Sequence, residues 1–462
     1  MRLYGLETEY GLAMPEGTPK TQFEDSRRVV RSCEVKHATG WDYALESPRK
    51  DLRGFTAAKL EADPVDARWD EGAAQVDDDR SDRILVNGAR FYNDHGHPEY
   101  ATPECGRLME LVAHDRAGER IALAAAKQHG ATLYKNNSDY SGASYGTHEN
   151  YLVGRNRPYQ DLAAALLPLL VCRQIFTGAG KVGSETRMPV EYQLSQRADF
   201  LTEVASVDTL YRRPIFNTRD EPHADAAKWL RLHVICGDAN RSEWATAMKA
   251  GMLRIGLDLL EIGEAPVWKF ADPVRAFSEI SRDAEYCWKI ALDKHSWTTA
   301  PDVLESYLAA ADKHLRGQDA ETDWLLSEWQ SALRDAKEDP TRLSDRADWA
   351  AKLALLRTYA EDMGRWDQDT MRAVEMEYHD VDPETGLFDM LVGMGRIRTL
   401  VDENRIQTAM TTPPNTRAKH RAKIVSEQAD RVEAIGWRRA VVAGEIIEFE
   451  IETEPNPPKE AS

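Results

Sequence analysis

The sequence predicts an α+β fold: a mainly antiparallel sheet backed by helices, followed by a small C-terminal domain. Three observations carry that prediction. Residues 4–14 alternate with a period of two. Further short strand-like segments are interleaved with helical patterns. After about residue 397 the composition changes, bringing a Pro-Pro pair, a basic run and a last alternating strand.

In the opening segment the even positions Tyr4, Leu6, Tyr10, Leu12 and Met14 can face a core, while Gly5, Glu7, Glu9 and Gly11 face the other way. Side chains two apart on a strand lie roughly 6.5–7 Å from each other on one face. Glu7 and Glu9 therefore present paired carboxylates. Residues 37–82 show little periodicity and read as a long insertion whose last part, 61–82, holds nine acids and two arginines. Loops of that length inside a compact domain are functional or disordered. Strands are expected at 84–92, 131–136, 150–153 and 232–236. Helices are expected at 107–128, at 161–177 with an interruption at Pro168, and at 242–262. In the last of these Ser242 supplies an N-cap, and Met248, Met252, Ile255 and Leu259 share one side. Residues 300–380 read as helical throughout. Near the end, Ile447, Phe449 and Ile451 alternate with Glu448, Glu450 and Glu452. The chain divides into a large N-terminal domain, 1–397, and a small C-terminal domain, 398–462.

A length of 462 residues suffices for two or three domains. With 59 Lys+Arg against 78 Asp+Glu the formal charge is −19, which disfavours general binding to phosphate backbones. Five scattered cysteines without a CxxC pair indicate neither a disulfide framework nor a thiolate zinc site. The longest apolar stretch, 162–171, is about half what a bilayer requires. A cytoplasmic, soluble protein is expected.

Two constellations carry possible chemistry. The first is Glu7 and Glu9, whose charges repel unless a cation or a base neutralises them. Hard cations such as Mg²⁺ take one or two carboxylates plus a phosphate. An exposed strand face with solvated carboxylates explains the same spacing. The second is the run from Asn87 to Cys105, in which Arg90, Tyr92 and Asp94 share a face if the strand continues. Arg90 could fork onto a phosphate, Asp94 could act as base or nucleophile, and Glu99 could ligate a cation. A polar turn at Asp94-His95-Gly96-His97-Pro98 explains these residues equally well. His95 and His97 lack a third ligand at zinc spacing. Thr177-Gly178-Ala179-Gly180-Lys181 lacks the spacing of a phosphate loop. Arg231 and His233 share a strand face and could reach one anionic ligand.

These segments together resemble a known family. Gly5-Leu6-Glu7-Thr8-Glu9-Tyr10-Gly11, Asn87–Asp94 with His97-Pro98-Glu99-Tyr100, Lys135-Asn136-Asn137, His148-Glu149-Asn150-Tyr151, Leu194-Ser195-Gln196-Arg197, Asn217–Asp225, Arg231-Leu232-His233 and Pro413-Pro414 with Thr416-Arg417-Ala418 are similar, in order, to the Pup ligase/depupylase family. The resemblance implies a glutamine-synthetase-like (carboxylate–amine ligase) fold with a curved antiparallel sheet and a small C-terminal domain. It implies ATP, or ADP with phosphate, as cofactor together with Mg²⁺. Glu7, Tyr92 and Glu99 resemble the family's magnesium ligands, with Glu9 an additional one. Arg90, Thr102 and Trp437 resemble its ATP contacts, and Asp94 its catalytic acid/base. Trp41-Asp42-Tyr43, Glu46-Ser47-Pro48 and Arg53-Gly54-Phe55 resemble the insertion that sets the depupylase/deamidase branch apart from the ligase branch. The implied reaction is hydrolysis of the bond between the C-terminal Glu side chain of a Pup-like modifier and a substrate lysine, and deamidation of a C-terminal Gln. The implied partners are Pup or a Pup-like small protein, its lysine conjugates and, indirectly, the bacterial proteasome. A Pup–protein ligase and a non-catalytic Pup-binding homologue are the alternatives. The acidity of such modifiers calls for a locally basic groove, for which Arg417–Lys423 is a candidate.

Overall fold

The computed structural model describes residues 2–18, 20–58, 60, 80–186, 189–209 and 212–451. Its centre is a seven-stranded antiparallel sheet in the order Trp229–Val234, Thr147–Gly154, Tyr4–Glu9, His97–Ala101, Arg90–Asp94, Arg83–Leu85, His37–Ala38. Period-two alternation sets its two faces. Tyr4, Leu6, Phe91, Tyr100, Tyr151 and Leu232 are buried on the back. Glu7, Glu9, Arg90, Tyr92, Asp94, Glu99 and His233 stand on the front, because Glu7 pairs with Ala101 and His148, Glu9 and Tyr92 both pair with Glu99, and Arg90 pairs with Ala101.

Helices Leu108–Lys127, Tyr159–Cys172 and Glu243–Glu261 cover the back face through one core around Tyr4, Leu6, Tyr151 and Leu232, and the end of the first helix packs in a second core with Phe91 and Tyr100. Ser242 caps the third as expected, its side chain accepting from the Ala245 N–H. Met248, Met252, Ile255 and Leu259 are fully buried. That helix is buried on nearly every side, because Ala300–His314 and Ala320–Glu338 pack outside it. Pro168 lies inside the second helix without ending it; the break comes at Cys172, before a single turn Gln174–Thr177.

Gly118 faces the ring of Tyr100 so closely that an added Cβ would sit 2.3 Å from a ring carbon. An alanine in a helix would ordinarily gain about 1 kcal/mol over glycine. Here the overlap decides the sign. Gly118→Ala is expected to destabilise the protein by about 1–3 kcal/mol, measured by denaturant unfolding.

The structure corrects three further expectations. Residues 84–92 do not form one strand. They are a hairpin, Arg83–Leu85 and Arg90–Asp94, turning at Asn87-Gly88, where Gly88 has φ +83° and Asn87 accepts from the Ala89 N–H. The opening alternation breaks at Tyr10, and Gly11–Ala13 pairs separately with Thr132–Tyr134. The last strand is Glu445–Glu448, at the edge of a three-stranded sheet with Val432–Ile435 and Arg439–Val442. Ile447 is 36% and Ile446 62% exposed there, and the chain leaves the strand at Phe449, whose N–H donates to the Arg438 carbonyl.

Of the expected insertion, residues 61–79 lie outside the described residues. The described part contains a short turn, Tyr43–Leu45, and a segment bridged at Asp51 to Arg219. Residues beyond 398 contribute the helix Glu403–Ala409, packed on Leu108–Lys127. They also supply the helix Ala418–Gln428, which joins the three-stranded sheet in a small core with Ala38, Trp41 and Ile84. Among the described residues no helix is long and apolar enough to cross a membrane.

Candidate active site

The front face of the sheet forms the floor of a cleft of about 460 Å³. That is within the usual range for small-molecule sites. The sheet register brings Glu7, Glu9, Arg90, Tyr92, Asp94 and Glu99 together there, and Trp437 from the C-terminal three-stranded unit forms part of the wall. Seven of the eight residues to which the resemblance gives site roles therefore line one cleft. The eighth, Thr102, lies on the opposite parity, and its hydroxyl accepts the Leu6 N–H at 3.0 Å. It lines an adjoining pocket that it shares with Trp437, Pro222, Arg231 and Arg417.

Among the described residues, two groups on this floor could hold a cation. Glu9, Asp94 and Glu99 offer carboxylate oxygens within 4.8 Å of one another. Tyr92 donates its hydroxyl to Glu99 Oε1 at 2.6 Å, whereas Glu99 Oε2 is buried without a partner. Burial, then the charges of Asp94, Glu9 and Glu7, push the Glu99 carboxyl well above its ordinary range. Crowded carboxylates around an unsatisfied buried oxygen are the donor set a hard divalent cation takes. These residues fit one.

The second group is Glu7, His148 and His233. Glu7 Oε2 lies 3.2 Å from His148 Nδ1 and 3.7 Å from His233 Nε2, and Glu7 Oε1 lies 3.7 Å from Arg231. Burial opposes a charge on Glu7, but these basic neighbours hold it well below the usual carboxylate range. Burial and Arg231 lower His233 to about 3, so its imidazole is neutral and able to ligate. Arg231 and His233 thus both face the Glu7 carboxylate, a side chain of the floor itself.

Asp94 ends its strand at the two-residue turn His95-Gly96, where both residues have positive φ, as a tight hairpin requires. His95 Nδ1 lies 2.9 Å from Asp94 Oδ2 and Arg80 lies 3.1 Å from Oδ1. Burial works against ionising Asp94, but His95 and Arg80 hold it far below the usual range. Burial likewise opposes a charge on His95, yet Asp94 raises it to about 9. His97 turns elsewhere, toward the Tyr10 carbonyl and the ring of Tyr145, so the two histidines do not converge.

Arg90 stacks between Trp41 and Tyr92, its guanidinium carbon 3.9 and 3.7 Å from their ring centres. It donates to Asp82 at 2.7 Å, and Asp82 also accepts from the Tyr43 hydroxyl. The two described ends of the insertion therefore hold Arg90 between them. Further along, the Ser47 N–H donates to Glu221, another wall residue.

A family model described as Pup-ligase protein matches residues 2–441. The chain belongs to the Pup-ligase family. Among curated members, a depupylase from Acidothermus cellulolyticus is 39% identical over 94% of this chain and 90% of its own length. A Pup deamidase/depupylase from Mycolicibacterium smegmatis is 38% identical, again over 94% and 90%. A Pup–protein ligase from Micrococcus luteus is 37% identical over 93% and 89%. Among solved structures, the complex of Pup with its ligase PafA superposes with a TM-score of 0.81 at 30% identity, covering all of this chain and 89% of that one. The ligase PafA with ADP gives 0.74 at 32% identity over 88% and 93%.

In this Pup-ligase family member, the sequence reading gave no individual role to His148, Arg197, Glu221 or His223, all of which line the cleft. His148 sits opposite Glu7 in the register, a pairing between distant segments with no local signature. Arg197 and Glu221 come from loops outside the main sheet. One suggestion is narrowed. Arg417 and Arg421 are buried and paired with Glu104, so these two do not contribute to a basic groove for an acidic modifier, whereas His420 and Lys423 of the same run are exposed.

Proposed function

We propose that this chain is a depupylase and Pup deamidase that uses a bound nucleotide and magnesium. The observation that carries this reading is the placement of the insertion. Trp41 and Tyr43 line the cleft beside Arg90, which Asp82 holds from behind, and the insertion resembles the one that marks the hydrolytic branch. The substrate is a Pup-like modifier joined through its C-terminal Glu side chain to a lysine, or the same modifier ending in Gln. The proteasome is an indirect partner, and the protein works in the cytoplasm.

Asp94 is the reacting group. Because His95 and Arg80 keep it ionised, it is a weak proton acceptor and an available nucleophile. Its oxygen bonds to the amide carbon, the C–N bond breaks, and the amine leaves with a proton. His95, protonated below about 9, stands beside Asp94 to supply that proton. Water then opens the resulting anhydride and restores Asp94. Arginines on the wall, Arg219 among them, face the developing oxyanion.

Glu9 and Glu99, grouped on the floor beside Asp94, would hold magnesium, with Tyr92 and Glu7 as the further ligands that the resemblance implies; the ion, when bound, would supply positive charge to the reaction. Thr102 and Trp437 flank the pocket for the nucleotide base, with Arg90 toward the phosphates. The related ligase PafA was solved with ADP, which supports a nucleotide here. The unit from residue 398 onward serves to bring Trp437 to that pocket. Trp437→Ala is accordingly expected to raise the KM for nucleotide about tenfold, read in a nucleotide titration of the cleavage rate.

Incubating a purified lysine conjugate with the protein, ATP and magnesium tests the proposal. Free modifier should accumulate without matching loss of ATP. Growth of conjugate with ATP turnover would make the protein a ligase instead. Binding of conjugate with neither reaction would make it a non-catalytic homologue.

A further inference from the structure

The helix Ala418–Gln428 and the residue before it turn two arginines inward. Arg421 is fully buried. Its Nη2 lies 2.6 Å from Glu104 Oε2 and donates to the Gly88 carbonyl at 2.7 Å, and its Nε donates to that same carbonyl at 3.0 Å. Its guanidinium carbon lies 4.7 Å from the ring centre of Trp437, and Nη1 reaches the Trp437 carbonyl at 3.4 Å. Arg417 takes the other oxygen of Glu104 at 2.6 Å and donates to the His223 carbonyl. One carboxylate, three residues beyond the strand His97–Ala101, thus pairs with both arginines, one through each oxygen.

Arg421 is therefore fixed on the sheet side by Glu104 and by the turn at Gly88. The turn itself is tightly engaged, since a Cβ on Gly88 would sit 3.1 Å from Ala418. On its other side Arg421 carries the indole that lines both the cleft and the adjoining pocket. A planar guanidinium suits this arrangement, because it can stack on a ring while its edge makes several directed hydrogen bonds. A lysine ammonium cannot do both.

We infer that Arg421 is a positioning residue that fixes the plane of Trp437 and so sets affinity for the nucleotide, with no part in the chemistry at Asp94. This rests on the reading that the adjoining pocket takes the nucleotide base. The test is calorimetric titration of ADP into the wild type, Arg421→Lys, Trp437→Ala and the double variant. Unfolding temperatures and conjugate cleavage at saturating nucleotide are measured alongside.

Arg421→Lys keeps a charge beside Glu104 but loses the stack. It is expected to raise the Kd for ADP about tenfold, equivalent to about 1.4 kcal/mol, while leaving cleavage at saturating nucleotide within about twofold. In the Trp437→Ala background the same change should add almost nothing, because the two residues act through one contact. Should Arg421→Lys not fold, Arg421→Met carries the test, since Arg417 alone then balances Glu104.

A folded Arg421 variant that binds ADP like the wild type would overturn the inference. So would losses that simply add in the double variant, or failure of both Arg421 variants to fold. Absence of ADP binding by the wild type would instead defeat the nucleotide reading itself.

Discussion

Asp94→Asn is expected to lower conjugate cleavage by about a thousandfold or more while ADP still binds. The substitution is nearly isosteric, so the hairpin at His95-Gly96 can persist, but it removes the carboxylate that both His95 and Arg80 approach closely. Loss of a nucleophile or a general base commonly costs several powers of ten, more than loss of a positioning contact. Stability should respond as well. The folded-state carboxyl is held below its unfolded value, so its contribution is present above the ordinary carboxylate range and disappears as pH falls through the lowered value. At neutral pH the variant should therefore melt somewhat lower than the wild type. Single-turnover cleavage and ADP titration on the same preparation separate lost chemistry from lost folding. Unchanged cleavage would remove Asp94 from the mechanism.

The second large effect concerns Glu99. Its folded-state carboxyl is raised, chiefly by burial and then by Asp94, Glu9 and Glu7. Without a cation, ionising it costs stability that is lost as pH climbs from about 4.3, the unfolded carboxylate value, through the raised value. Magnesium reverses that penalty by stabilising the charged form. The melting temperature should thus rise with magnesium, and rise further at about pH 8 than at about pH 6. Glu99→Gln should melt higher than the wild type in the absence of metal at the higher pH. It should also lose most of its response to magnesium and at least about a hundredfold of its activity. Thermal unfolding with and without a chelator at both pH values checks this. A wild-type response to magnesium that Glu99→Gln retains in full would exclude Glu99 from the metal site.

Much of the site was legible because a strand has a strict period of two. Parity alone placed Glu7 beside Glu9 and aligned Arg90, Tyr92 and Asp94. What parity cannot supply is which strands are neighbours. Glu7 meets His148 and Arg231 across more than a hundred residues, and Glu99 joins Glu9 to Tyr92 only because its strand lies between theirs. Antiparallel pairing of distant segments leaves no mark in either segment. Asn87-Gly88 did carry a local mark, the sequence preferred in tight turns, and the apolar residues around it concealed the turn inside an apparent strand. The run Arg417–Lys423 divides for a different reason. In a helix, residues four apart share a face, so Arg417 and Arg421 turn together onto Glu104, while His420 and Lys423 stay exposed. The roles attached to these residues came from the family resemblance, since spacing alone left a solvated strand face and a polar turn equally admissible.

Hydrolysis is measured most directly on the modifier with a C-terminal Gln. The protein, ADP with phosphate, magnesium and that modifier are mixed, and ammonia and nucleotide are followed together. Hydrolysis predicts one ammonia released for each modifier converted to its Glu form, with the nucleotide unchanged. No ammonia, together with new isopeptide bonds and ATP consumption when the Glu form, ATP and a lysine-bearing protein are supplied, would contradict it.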